Sequence, residues 1–256
     1  FARALCGEDV SYEGVLGTAV VKLPDLNGGR TGLSELSAKE EGYDVVSNLC
    51  IVDDKAHYYP GASTFIIKTV ADKASRKLLG LQVLGSGAVD KVTDVAVTAI
   101  TMDATVDQLM NLDMAYAPPF STAIHPFVTA VSILTNKMDG ILESFSPAEF
   151  AAGAADGYKV IDTSPVPAIP DAPYVDVNQV NGPVDGLDKD EKILIICAKG
   201  KRSYLLQNRL KFYGYTNTKV LEGGLTFNIY KKAAAGKVTV SAEEITLSLI
   251  HISEPT

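Results

Sequence analysis

The stretch "ILIICAKGKRSYLLQNRL", residues 193–210, decides how the second half of the chain folds. Its first four residues form an uninterrupted apolar run, the pattern of a strand covered on both faces, as in a parallel sheet. After Cys197 comes a short basic turn, "AKGKR", and then an amphipathic helix pattern that puts Leu206, Leu210 and Tyr213 on one face and Gly214 at the end. Flanking runs "YKVID" and "KVLEGG" read as two more short strands. A strand, helix, strand order of this kind predicts a small parallel sheet, an α/β unit.

Working outward, "GILESFSPAEFAAG" opens this unit with a capping-box pattern, Ser146 as cap and Glu149 three residues on. Before it, "GTAVVKL", "YDVVSNLCIV", "STFIIKTVAD" and "RKLLGLQVLG" are strand-like, and "DKAS" between the last two suits an antiparallel hairpin. Two helices follow. In "AVDKVTDVAVTAITMDA", Val92, Val95, Ala96, Ala99 and Ile100 share a face, while "HPFVTAVSILTNKMDG" has Pro126 near its start and Gly140 beyond its end. Strands gathered first and helices afterwards predict an α+β domain with an antiparallel sheet.

The 256 residues suffice for two domains, and 46% apolar with 21% charged is a globular composition. Lys and Arg number 23 against 31 Asp and Glu, a net charge of -8, which argues against nucleic acid or an anionic membrane surface as partner. No apolar run approaches membrane-span length and the start lacks a signal-peptide pattern, so a cytoplasmic location is expected. Cys6, Cys50 and Cys197 are too scattered for a disulfide framework or a zinc site, and no metal is expected.

Cys197 stands where the strand ends and the positive charge begins. A strand-to-helix turn aims backbone N–H groups and the positive end of the helix dipole at whatever lies above it. With Lys199, Lys201 and Arg202 beside it and Gly200 permitting the turn, Cys197 is expected to favour its thiolate and act as a nucleophile. Loop length separates two chemistries. A tyrosine-phosphatase type of loop has arginine six positions after its cysteine, whereas here the sixth residue is Ser203 and Arg202 stands at the fifth. The narrower cradle suits the terminal sulfur of a persulfide.

"CAKGKR", followed by "YGYTNT" and "VLEGG", resembles the rhodanese family over about residues 145 to 232. The resemblance implies that Cys197 carries a sulfane sulfur, with Arg202 beside it and the amides of Ala198, Lys199, Gly200, Lys201 and Ser203 on its anion. Where that family has Asp-Val-Arg, this chain keeps Asp162 but not the arginine, and it lacks a Gly-His-Ile segment. Two readings therefore stand side by side: a sulfurtransferase, and a non-catalytic module of degenerate rhodanese fold that binds thiols or a partner.

"HYYPGA", "GAVDKVTDVAVTAI" and "MAYAPPFSTAIHP" resemble the C-terminal dimerisation domain of the pyridine nucleotide-disulfide oxidoreductases over roughly residues 14 to 141. With the rhodanese-like half, the chain is similar to fused coenzyme A-disulfide reductase and rhodanese proteins. The resemblance implies a homodimer acting on a small thiol, disulfide or persulfide, with FAD and NAD(P)H in the full-length protein, coenzyme A as substrate or ligand, and no cofactor held tightly by these residues. It also implies that Tyr116 and either Tyr58 or Tyr59 reach across the dimer. His125 lies where related enzymes keep an acid/base histidine, but the orienting glutamate is absent, since the fifth residue on is Ala130. "GSG" at 85 to 87 lacks a third glycine at dinucleotide-fingerprint spacing.

The expected division is a remnant of an upstream flavin domain over 1–13, the dimerisation domain over 14–141, the rhodanese-like domain over 142–234, and a truncated linker with a vector-like tail over 235–256.

Overall fold

A computed structural model describes residues 2–12 and 14–228. The expected tail and His251 lie outside the described residues. In chain order the first half holds α1 (Ala2–Leu5), β1 (Ala19–Lys22), β2 (Asn27–Gly32), α2 (Glu35–Glu40), β3 (Val45–Asp53), β4 (Thr64–Asp72), β5 (Leu78–Gly85), α3 (Val89–Thr101), α4 (Val106–Leu109) and α5 (Pro126–Met138). The second half holds β6 (Ser144–Phe145), α6 (Pro147–Ala151), β7 (Lys159–Asp162), β8 (Ile193–Ile196), α7 (Lys201–Phe212), β9 (Thr218–Leu221) and α8 (Gly224–Phe227).

The first five strands form one antiparallel sheet in the order β1-β2-β5-β4-β3, with β4 and β5 joined across the "DKAS" turn. Alternation sets its core face: Cys50, Phe65, Ile67, Leu81 and Val83 pack with Val92, Ala96 and Ala99 of α3 and with Phe127, Val131 and Leu134 of α5. Val95 and Ile100 lie at the edge of the same cluster, so the helical face read from the sequence is the one that packs. Pro126 is at the start of α5 and Gly140 follows its end in the left-handed region.

Strand β2, "NGGRTG", has no hydrophobic alternation and is not among the strands that the sequence predicts. Its reason is proximity: a Cβ at Gly29 would lie 2.2 Å from Thr93 Oγ1, so α3 rests directly on bare backbone there.

The second sheet is wholly parallel, in the order β6-β9-β8-β7. Ile161, Ile193 and Ile195 pack on one face with Leu206 and Leu210 of α7, and Leu194, Ile196 and Leu221 on the other with Phe150 of α6. Both faces of β8 are thus covered, as its continuous apolar run requires. Ser146 caps α6 reciprocally with Glu149.

The two sheets meet across a polar seam. Glu222, just past β9, is 4% exposed and accepts from Lys137 Nζ at 2.6 Å, Ser144 Oγ at 2.7 Å and the Leu49 amide at 2.9 Å. Three donors compensate one buried carboxylate, a precondition for burying it at all. Among the described residues no helix is long and apolar enough to cross a membrane, and no group of His, Cys, Asp and Glu could hold a metal ion.

Candidate active site around Cys197

Cys197 follows the last residue of β8, and three elements shape the loop after it. Gly200, with φ of +93°, caps α7, and its amide donates to Cys197 Sγ at 3.2 Å. On the outer side α8 takes the loop's first two carbonyls: the Leu225 amide donates to Cys197 O at 3.0 Å and the Thr226 amide to Ala198 O at 2.9 Å. In a trans peptide the carbonyl and the following N–H point opposite ways, so these bonds turn the amides of Ala198 and Lys199 away from α8. Gly224 makes this grip possible. Its φ is +51°, and a Cβ there would stand 2.2 Å from Cys197 O and 2.6 Å from Ala198 O.

Cys197 is 2% exposed, so the loop wraps the sulfur and leaves it little contact with bulk water. The three thiols are in different surroundings. Cys6 is exposed, whereas burial, and then the nearby Glu222 carboxylate, push Cys50 up to about 12, which makes it inert.

The expected ring of positive side chains is not what the loop forms. Lys199 reaches across the seam to Asp53 at 3.0 Å, Lys201 is exposed, and Arg202 donates through Nε to Thr163 O at 2.6 Å and through Nη2 to Asp176 Oδ1 at 2.8 Å. Lys199 and Arg202 have each found a better acceptor than the sulfur, a carboxylate or a carbonyl within reach. What the loop offers to Sγ is an amide. Arg202 instead ties the first turn of α7 to the end of β7. Asp176 is held below the usual carboxylate range by the Asn178 amide and, against partial desolvation, by the Arg202 guanidinium.

Asp162 organises the neighbouring loop. It is fully buried, yet its Oδ1 accepts from the Ser164 amide at 2.8 Å and its Oδ2 from the amides of Ala168 at 2.5 Å and Ile169 at 3.0 Å. Burial alone would raise its pKa, but the Ala168 amide together with those of Ser164 and Ile169 wins and lowers it. Sequence reasoning keeps Asp162 but passes over Thr163, Asp176 and Asp53. Nothing local marks those residues, since their partners are 26 to 146 positions away.

The first-domain residues stand apart from this loop. Tyr58 is 70% exposed and edge-on to His57, Tyr59 is half-buried in the same β3–β4 loop, and Tyr116 is 50% exposed. His125 is buried at the start of α5, where Nδ1 accepts from the Phe127 amide at 3.2 Å. Burial, and then the Lys91 charge, push it down to about 4, so it is a neutral helix cap in this chain. Among the described residues no hydrogen bond or ring contact joins these four side chains to the Cys197 loop.

The "GSG" turn does not fit a dinucleotide. At "GSG" the Cβ position of Gly85 is filled by the Phe65 ring at 2.6 Å, and that of Gly87 faces Asp54 Oδ2 at 2.9 Å, where a carboxylate would repel a phosphate. The turn joins β5 to α3, but β5 is antiparallel to both its neighbours, whereas a dinucleotide loop lies at the ends of parallel strands.

Residues 18–127 match the family model of the pyridine nucleotide-disulphide oxidoreductase dimerisation domain, and residues 134–226 that of the rhodanese-like domain. The NAD(P)H sulfur oxidoreductase (CoA-dependent) of Pyrococcus furiosus is 37% identical over 130 residues, covering 51% of this chain and 29% of the relative. Among solved structures, the NAD-dependent persulfide reductase of A. fulgidus superposes with a TM-score of 0.79 at 33% identity, over 87% of this chain and 41% of that one. The reduced CoADR-RHD of Bacillus anthracis gives 0.78 at 31% identity, over 88% and 41%. The chain therefore spans less than half the length of the relatives it matches.

Proposed function

We propose that this chain, which joins a pyridine nucleotide-disulphide oxidoreductase dimerisation domain to a rhodanese-like domain, is the dimerising and sulfur-carrying part of a coenzyme A disulfide or persulfide reductase. In this reading Cys197 attacks the terminal sulfur of a donor. The donor's S–S bond breaks, the leaving thiolate takes the bonding pair, and Cys197 keeps the sulfane sulfur as a persulfide anion. An acceptor thiolate later attacks that outer sulfur and restores the Cys197 thiolate. The single observation that carries the reading is the Gly200 amide on Cys197 Sγ, in a loop whose first carbonyls are turned outward by α8.

Enclosure of the sulfur favours donors that present a terminal sulfur on a slender arm, as thiosulfate or a coenzyme A persulfide does. Electrons for reducing the released sulfur would come from NAD(P)H through the flavin of the full-length protein. Tyr58, Tyr116, Phe120 and Ile124 are all at least half exposed, an aromatic and apolar set that suits coverage by a second copy of the chain. In that dimer the two tyrosines would offer phenol donors toward a thiol-bearing substrate. His125, as a neutral cap, would fix the entry of α5 into that surface.

The test is thiosulfate-to-cyanide sulfur transfer by the purified chain. Turnover that vanishes in Cys197→Ser supports the assignment. Equal turnover in that variant, or none in the wild type, would leave the domain as a thiol- or partner-binding module, a reading that the diversion of Lys199 and Arg202 from the sulfur favours.

A further inference from the structure

Two buried hydroxyl groups beside Cys197 lack partners, and their placement follows from strand register. Asp162 pairs with Ile196 at the end of β7 and β8, the Thr163 amide donating to Ile196 O at 2.9 Å within that pair, so the next residues of the two strands, Thr163 and Cys197, lie alongside each other. Thr163 is therefore opposite Cys197. Side chains opposite one another in a sheet share a face, and alternation puts these two on the face of Ile161, Ile193 and Ile195, which packs against α7. On α7 the buried residues are Ser203, Leu206, Gln207 and Leu210, so Ser203 is the sheet-facing residue of the first turn. The Arg202 Nε bond to Thr163 O fixes that turn over the end of β7.

Thr163 and Ser203 are both 0% exposed, yet neither Thr163 Oγ1 nor Ser203 Oγ has a hydrogen-bond partner, the Cys197 sulfur included. A buried hydroxyl without a partner is costly and calls for an explanation. A second sulfur on Cys197 would stand about 2 Å beyond Sγ. An atom there changes which donors around Cys197 are within hydrogen-bond reach.

We propose that Thr163 and Ser203 are positioning residues whose hydroxyls donate to the outer sulfur of a Cys197 persulfide and so distinguish the loaded from the unloaded loop. The proposal rests on the sulfur-carrier reading of Cys197. In loading from thiosulfate, the Cys197 thiolate attacks the outer sulfur, sulfite leaves with the bonding pair, and the negative charge ends on the new terminal sulfur. That charge is where the two hydroxyls act.

The experiment loads the full chain with thiosulfate and follows the lifetime of the Cys197 persulfide by intact mass, alongside iodoacetamide alkylation of the unloaded thiol. Thr163→Val is expected to shorten the persulfide lifetime about tenfold, the effect of losing one charge-assisted hydrogen bond, with alkylation unchanged. Thr163→Ser restores the lifetime, and Ser203→Ala shortens it in the same direction. Should Thr163→Val fail to fold, Ser203→Ala, which removes one oxygen, carries the test. Wild-type lifetimes in Thr163→Val and Ser203→Ala overturn this proposal alone. A wild-type chain that takes up no sulfur overturns the sulfur-carrier reading with it.

Discussion

In the antiparallel sheet Gly29 lies beneath Thr93 of α3, and beyond the parallel sheet Gly224, the first residue of α8, lies against the carbonyls of Cys197 and Ala198. The two residues are equally crowded, each with an atom 2.2 Å from where its Cβ would be. What crowds them differs. At Gly29 it is a helix side chain, and the close approach serves packing around a core of apolar residues. At Gly224 it is the backbone of the candidate active loop, and the close approach goes with α8 amides that hold the carbonyls of Cys197 and Ala198 outward. In the first domain the close approach seats a helix on the sheet, and in the second it fixes the peptide orientation of one loop.

Gly224→Ala strikes the second use and has the largest expected effect. A side chain in left-handed backbone against two carbonyl oxygens should cost about 3 kcal/mol or more and lower sulfur transfer at least about tenfold. Wild-type transfer in that variant would show that α8 does not shape the loop.

Acid should separate the two halves next. His125 is neutral when folded, with its pKa pushed from 6.5 to about 4, so its contribution is intact above about pH 6.5 and is lost as pH falls toward 4. Over that window the unfolded chain binds the extra proton, and stability should drop by about 3 kcal/mol. Asp162 has a lowered pKa, so its contribution is present above the ordinary carboxylate value and is lost only at lower pH. Denaturant titrations between pH 7 and 4 should therefore show a slope that His125→Asn, which keeps a helix cap, removes. An unchanged slope in that variant would contradict the account of His125.

Gly29→Ala should cost about 2 kcal/mol in denaturant unfolding with sulfur transfer unchanged, because the clash is with a helix and not with the loop. Thr93→Ala, which removes the Oγ1, should recover most of that loss in the double variant. The smallest effect belongs to the Lys199–Asp53 pair at the seam. Both side chains are about two-fifths exposed, and Lys199→Ala should change stability by less than about 1 kcal/mol, less still in high salt.

What the sequence disclosed and what it withheld divide along the same line. Strands β1, β3, β4, β5, β7 and β9, the buried run Ile193–Ile196, the Ser146 cap and the packed face of α3 are local patterns and were legible. Strands β2 and β6 were not: "NGGRTG" is held in the sheet by its ladders to β1 and β5, glycine carries no hydrophobic pattern of its own, and β6 is only two residues long. Likewise the basic residues around Cys197 read as an anion cradle until Lys199 is seen on Asp53 and Arg202 on Thr163 and Asp176. A long flexible cation near a cysteine in sequence is free to turn elsewhere. The Gly200 amide, fixed by the backbone, is not.

The measurement closest to the central claim is peptide mapping after exposure to thiosulfate. One added sulfur atom on the peptide containing Cys197, released as thiocyanate by cyanide and absent from Cys197→Ser, is the expected result. No added sulfur, or sulfur found on Cys6 or Cys50 instead, would contradict the account.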